Sequence, residues 1–217
     1  YMADAKRTGD AWPSVFRNYD FKFGASHLMP AVVLNLDEPD DLALVNGKLK
    51  WAPGLVPGEP NEGLVAGKYI ESPPRLKDFD DSDWEEPKNI RDVVGTGFTF
   101  AWYRFTITLP EKIKHLDVAG AQIWFETSSD DYGEIWMDCP PFHEDFLAAQ
   151  AIKANHFTPV TGYNARDRIL VSNDAEVGRK HVIACLAINA PIAQPLGGTF
   201  IRYARLEVCQ GVAKIPV

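Results

Sequence analysis

The sequence predicts an all-β protein, an antiparallel β-sandwich or jelly roll with at most one or two short helices. Three observations carry this. Sixteen Gly and sixteen Pro punctuate the 217 residues, and such spacing interrupts helices more than strands. Apolar runs are short. From Phe98 onward, β-branched and aromatic residues alternate with the period-two pattern of a strand buried on one face.

Taken in order, the first seventy residues carry the weakest pattern. Asp37 to Asp41 reads as an acidic turn, Gly47 to Trp51 as the start of a strand, and Pro53 to Gly63 as a loop. Phe98 to Thr108 is the clearest strand, with Tyr103, Phe105 and Ile107 on one face and Trp102, Arg104 and Thr106 on the other. Ala121 to Thr127 sets Ile123 and Phe125 against Trp124. Glu134 to Asp138 sets Ile135 and Met137 against Trp136. Arg168 to Ser172, Lys180 to Asn189 and Thr199 to Val208 follow. In the last of these, strict alternation places Phe200, Arg202, Ala204 and Leu206 opposite Ile201, Tyr203 and Arg205. One helix is expected, over Glu144 to Ala154, after Pro140-Pro141 and with an acidic first turn. Six or more strands joined by polar loops make a sandwich. The expected organisation is a single domain over 1–217, with 1–70 supplying divergent strands and loops.

Bulk composition narrows the partners. With 46% hydrophobic and 12% aromatic residues the chain can fill a core. Its net charge is −8 and its pI about 5.1. A nucleic-acid binder needs a basic stripe to displace counterions, and none is present; the same sign opposes docking on anionic lipid. No apolar run approaches the ~20 residues that cross a bilayer. No signal peptide is visible, although the chain opens with Tyr1-Met2, so both a cytoplasmic and a secreted location stay open. Cys139, Cys185 and Cys209 are too few and too scattered for a disulfide framework. Cys185 and Cys209 fall in strands, where buried thiols are expected. Cys139 falls in a loop whose only cationic neighbour in sequence is His143.

Four short motifs occur in a fixed order: Asp78-Phe79-Asp80-Asp81-Ser82-Asp83-Trp84, Trp102-Tyr103-Arg104, Asp130-Asp131-Tyr132 leading into Glu134-Ile135-Trp136-Met137-Asp138, and Ile188-Asn189-Ala190-Pro191. Together these motifs, over 78–208, make the chain resemble the galactose-binding-like β-sandwich, and within it the accessory domain of gluconolactonase-like β-propeller proteins. The resemblance implies that the first motif is structural, its Asp side chains tying a turn and Trp84 anchoring it. It also implies that Tyr163-Asn164 and Asn189 belong to family turns at one end of the sandwich, and that a structural calcium is compatible with the fold. Relatives continue the Trp136 strand into a Val-Asp-Gly or Val-Asn-Gly turn. Here Cys139-Pro140-Pro141 stands instead, so a longer, specifically shaped loop is expected.

The chain carries no nucleophile elbow, P-loop, dinucleotide glycine pattern or His-Glu-x-x-His. His27, His115, His143, His156 and His181 lack metal-ligand spacing. For calcium, Asp78, Asp80 and Asp81 are the candidates. The loop Phe142 to Phe146 sets two aromatics around His143, Glu144 and Asp145, which makes those three the candidate acid–base residues. Trp102, Arg104, Trp136, Phe142, Phe146, Tyr163, Asn164 and Asn189 are the candidate ligand contacts. The leading expectation is a cofactor-free tailoring enzyme that closes rings by dehydration, cyclisation or a pericyclic step of the Diels–Alder kind in natural-product biosynthesis, by fold-level analogy with cyclases built on such sandwiches. The alternative is a non-catalytic carbohydrate-binding module. Either way the partner is a small organic molecule or a carbohydrate, with no nucleic acid and no membrane, and the protein is a monomer or homodimer.

Overall fold

The computed structural model describes residues 30–59, 72–141, 155–191, 193–194 and 196–211. They form two antiparallel sheets packed face to face, as the sequence predicts. β1 (Val32–Asn35), β11 (Phe200–Cys209), β6 (Gln122–Asp130) and β9 (Asp167–Ser172) make one sheet, in that spatial order. The second runs β2 (Lys48–Pro53), β3 (Phe100–Thr108), β10 (Lys180–Ile188), β7 (Tyr132–Met137) and β8 (Phe157–Thr161). A small hairpin of β4 (Lys112–Ile113) and β5 (Leu116–Asp117) caps one edge. The expected acidic turn is a five-residue helix, α1 (Pro39–Ala43), and Pro73–Arg75 is a single 3-10 turn. The helix expected over Glu144 to Ala154 lies outside the described residues.

The core follows the period-two reading. Tyr103, Phe105 and Ile107 on β3, Ile135 and Met137 on β7, and Ile183, Cys185 and Ala187 on β10 face Leu34, Ile123, Phe125, Ile169 and Leu206 of the other sheet. Phe105 and Phe125 meet across the interface at 5.4 Å between ring centres. The last strand departs from simple alternation. Ile201 pairs with Ser129 and Ala204 with Thr127, so β11 spends three residues where β6 spends two. This bulge puts Ile201 and Ala204 on the same buried face and turns both Arg202 and Tyr203 outward. The expected grouping of Phe200 and Arg202 with Ala204 is thereby corrected.

The outer face of the five-stranded sheet is also largely covered. Residues 73–86 cross it as a strap, with Phe79 and Trp84 packed near Trp102, Phe100 and Leu186 in a second apolar cluster. Arg104 holds this strap. Its Nε donates to Asp81 Oδ2 at 2.7 Å, Nη1 to the Pro74 and Leu76 carbonyls, and Nη2 to the carbonyls of Lys77 and Phe79. The strap then joins the sheet edge, where the Trp51 N–H donates to the Glu85 carbonyl at 2.9 Å.

Deleting the guanidinium would remove a donor from one carboxylate and four carbonyls of the strap, of which, among the described residues, Leu76 alone keeps a second, the Phe79 N–H. Arg104→Ala is expected to lower unfolding free energy by about 3–5 kcal/mol, the range for breaking a buried pair from one side. Urea denaturation measures this; a loss below about 1 kcal/mol would mean the strap is held by its apolar contacts alone.

Candidate functional site

The two site groups expected from sequence have different fates. His143, Glu144, Asp145, Phe142 and Phe146 lie outside the described residues. Trp102 and Arg104 are placed, and they are 1% and 2% exposed. Trp102 lies under the strap side of the sheet and donates its Nε1 hydrogen to the Leu55 carbonyl at 3.0 Å. Arg104 spends its donors on the strap. Both are therefore scaffold in this structure, not surfaces offered to a ligand. Trp136 is half-buried on the same sheet face, stacked on Phe157 at 4.1 Å, with its Nε1 donating to Glu134 Oε2. It stands four residues along β7 from Tyr132, a separation of roughly 13 Å at strand rise. Asn189 is buried, and its side-chain amide donates to the Gly97 and Leu196 carbonyls, pinning two loops together. The expected pocket uniting these residues is thus split between scaffold and surface.

The acidic run from Asp78 to Asp83, where calcium was expected, is taken up within the strap. Asp81 is committed to Arg104, while Asp80 accepts the Ser82 N–H at 3.0 Å and is held below the ordinary carboxylate value by Ser82. Among the described residues no three His, Cys, Asp or Glu side chains are grouped to hold a metal. His156 is turned to the Met137 carbonyl through Nδ1. Cys139 is buried beside Arg75, not beside an exposed cation. Burial pushes its thiol up to about 11 against the pull of that guanidinium, which removes the thiolate a nucleophile needs.

What the fold does bring together is one end of the sandwich. Three elements meet there: the β6–β7 connection at Asp130 and Asp131, the turn after β8 at Tyr163 and Asn164, and the start of β11. Asp131 is buried and accepts the Ala190 N–H with its carboxylate, so it fixes the loop after β10. The Asn164 N–H donates to the Asp131 carbonyl at 2.7 Å, which anchors the turn, and Asn164 itself takes a left-handed φ of 52° that Asn tolerates well. The outward-turned Arg202 donates to Asp130 Oδ1 and to Asn164 Oδ1, the latter at 2.7 Å. Burial lifts the Asp130 carboxyl above its ordinary value, against the pull of Arg202. Beside this network Tyr163 is 61% exposed and meets Tyr132 edge-on at 5.9 Å. The result is an open aromatic surface bordered by a guanidinium, an amide and a carboxylate. Tyr163 and Asn164 were legible as candidates; Tyr132, Asp130 and Arg202 were not. Asp130 and Tyr132 stood inside a motif that was quoted only for the family resemblance, and only the bulge aims Arg202 here.

A second acid, Asp167, sits behind this end at the start of β9. It accepts the Thr158 hydroxyl at 2.7 Å, and burial pushes its carboxyl up to about 6.

The fold defines an all-β antiparallel sandwich with an open polar–aromatic surface at one end. No protein-family model matches the chain, and no curated protein matches it. Solved structures do. A calcium-binding mutant of Bacteroides uniformis beta-glucuronidase 2 aligns at TM-score 0.48 and 13% identity, over 82% of this chain and 18% of that one. A glycosyl hydrolase family 2 member from Bacteroides cellulosilyticus aligns at 0.47 and 14%, over 81% and 20%. A putative beta-galactosidase from Bacteroides fragilis aligns at 0.44 and 13%, over 83% and 23%. The chain thus spans about a fifth of the length of these structures. At such identities and scores nothing about its chemistry follows from the likeness. No described helix is long and apolar enough to cross a membrane.

Asp167 gives a pH prediction. Its folded pKa lies above the unfolded value of 3.8, so the folded state favours the protonated form. The associated stability is present below the unfolded pKa and is lost as pH rises through about 6. Asp167→Asn is expected to be more stable than the parent at neutral pH, by up to about 3 kcal/mol, and to flatten the stability profile between those two values. Denaturation series across that window test this; a variant less stable at neutral pH would show that the ionised carboxylate is needed by the fold.

Proposed function

We propose that the protein is a carbohydrate-binding β-sandwich that presents its ligand surface at the Tyr132–Tyr163 end, and that it binds without catalysing. The observation that carries this reading is the exposed Tyr163 ring beside Asn164, Arg202 and Asp130. A sugar offers an apolar C–H face and a rim of hydroxyls. Tyr163 supplies a surface for the face and Tyr132 braces it edge-on. Asn164 and Asp130 can accept from hydroxyls, and Arg202 can donate to them. The hydrogen bonds among these three side chains hold them in place before a ligand arrives, which reduces the ordering cost of binding. The resemblance to galactose-binding-like sandwiches supports the same reading. The two concavities along the flank of the five-stranded sheet, beside Trp51, are open grooves.

Binding to a panel of insoluble and soluble polysaccharides, followed by analysis of the glycan for cleavage or rearrangement, tests the reading. The expected outcome is retention on at least one glycan with the glycan unchanged. Tyr163→Ala is expected to weaken that binding at least tenfold, about 1.4 kcal/mol, and Arg202→Gln by a smaller factor. The melting temperature of Tyr163→Ala should stay close to that of the parent because the ring is exposed. Glycan binding that survives both changes would place the sugar elsewhere, and turnover of the glycan would make the protein an enzyme.

A further inference from the structure

The chain carries a net charge of −8, yet the charges that face solvent around the Tyr163 end are mainly cations. Strand register shows how they are placed. Thr127 of β6 pairs with Asp167 on one side and with Ala204 on the other. Arg166 and the bulged pair Arg202 and Tyr203 therefore flank Ser128 from opposite sides, roughly 10 Å apart at strand spacing. Arg166 follows Tyr163 and Asn164 in the turn that leads into β9, and Arg202 is bonded to Asn164. Both guanidinia thus belong to the connections that carry the exposed ring.

The two ion pairs here are built alike. Arg166 lies 4.0 Å from Glu126, and the side chains are 73% and 10% exposed. Arg202 is paired with Asp130, at 39% and 20%. In each pair the carboxylate is sunk toward the sheet and the guanidinium stands outside it. Glu126 has a second claim on it, since its Oε1 accepts the Tyr203 hydroxyl at 2.9 Å. A separation of 4.0 Å is an ion contact and not a hydrogen bond. So exposed and loose a pair contributes little to stability, which leaves Arg166 able to turn to another anion. Asp131, next to Asp130, is buried and bonded to the Ala190 N–H. Further along β11, the exposed Arg205 rests on the Tyr203 ring at 4.6 Å. A molecule arriving at Tyr163 meets these guanidinia before it meets their acids.

We propose that the glycan bound at the Tyr163 end is an acidic one, with a sugar ring on Tyr163 and a carboxylate or sulfate substituent held by Arg166 and Arg202. The inference rests on the carbohydrate reading of that end and names the class of sugar. A guanidinium presents paired N–H donors in one plane, which matches the paired oxygens of an oxyanion. A neutral sugar would use the ring and Asn164 and leave Arg166 without a role. An amino sugar would bring one more cation to a surface whose cations already face outward. The negative charge of the rest of the chain repels a polyanion, which confines it to this end.

Isothermal titration of the full chain with two matched pairs of polymers tests the proposal: polygalacturonate against its fully methyl-esterified form, and dextran sulfate against dextran. At least one charged polymer is expected to bind about tenfold or more tightly than its neutral counterpart, with the gap narrowing as salt rises through about 0.1 M. The charged polymer that binds more tightly tells carboxylate from sulfate. Arg166→Gln should lose about fivefold in affinity for that polymer, keep any affinity for the neutral one, and melt with the parent because the side chain is exposed. Tyr163→Ala should also release the charged polymer, which simple ion exchange on arginines would not require. If a neutral polymer binds as tightly and Tyr163→Ala releases it, this inference falls and the carbohydrate reading stands. If a charged polymer binds and Tyr163→Ala leaves that binding intact, both fall. If neither charged polymer binds, or if Arg166→Gln binds as the parent does, the acidic class is overturned.

Discussion

Arg104 places a permanent cation on the face of β3 that points away from the core. A guanidinium carries five N–H donors in a rigid plane and cannot be buried bare. The strap answers it with one carboxylate and four main-chain carbonyls, and these carbonyls belong to a segment without regular pairing of its own. Each side thus solves the other's problem, since buried polar groups need partners. Once the strap lies flat, Phe79 and Trp84 come to rest at 5.5 Å from each other within the apolar cluster that includes Trp102. The chain leaves the strap at Glu85, bonded to Trp51, which fixes where residues 85–95 start and so where the flank groove forms. A sheet face that would otherwise be a broad aromatic surface becomes interior.

The same interaction explains why part of the site was misread from sequence. Trp102 and Arg104 alternate with the core residues of β3, and an outward aromatic beside an outward Arg is what a ligand platform looks like along one strand. Nothing local announces that a segment about twenty residues earlier folds over them. Six of the strands from Phe100 onward, β3, β6, β7, β9, β10 and β11, were legible from their β-branched and aromatic residues and period-two alternation, whereas β8 was not. The short edge elements wrote less: β1 has four residues and β4 and β5 two each. The acidic run at Asp78 to Asp83 was rightly legible as a turn, yet its use as the partner of Arg104 depends on long-range contact. Tyr163 and Asn164 were found through a turn motif. Their partners were not, because that surface is assembled from three separate connections.

The β11 bulge is the step that turns this end from a scaffold into a surface. With strict alternation, Ile201 and Ala204 could not both face the core, and one of them would have to leave it. One added residue between them keeps both inside and leaves two consecutive side chains pointing out. Tyr203 goes toward β6, where its hydroxyl donates to Glu126 Oε1 at 2.9 Å and its ring carries the Arg205 guanidinium at 4.6 Å. Arg202 goes toward the loops, where Asp130 and Asn164 receive it. A straight strand would offer one such residue at this level, not two. The bulge therefore lets a single strand satisfy the core, brace the outer face of its sheet and supply the cation of the end surface. That is why a residue with no sequence motif of its own becomes the centre of the polar network around Tyr163.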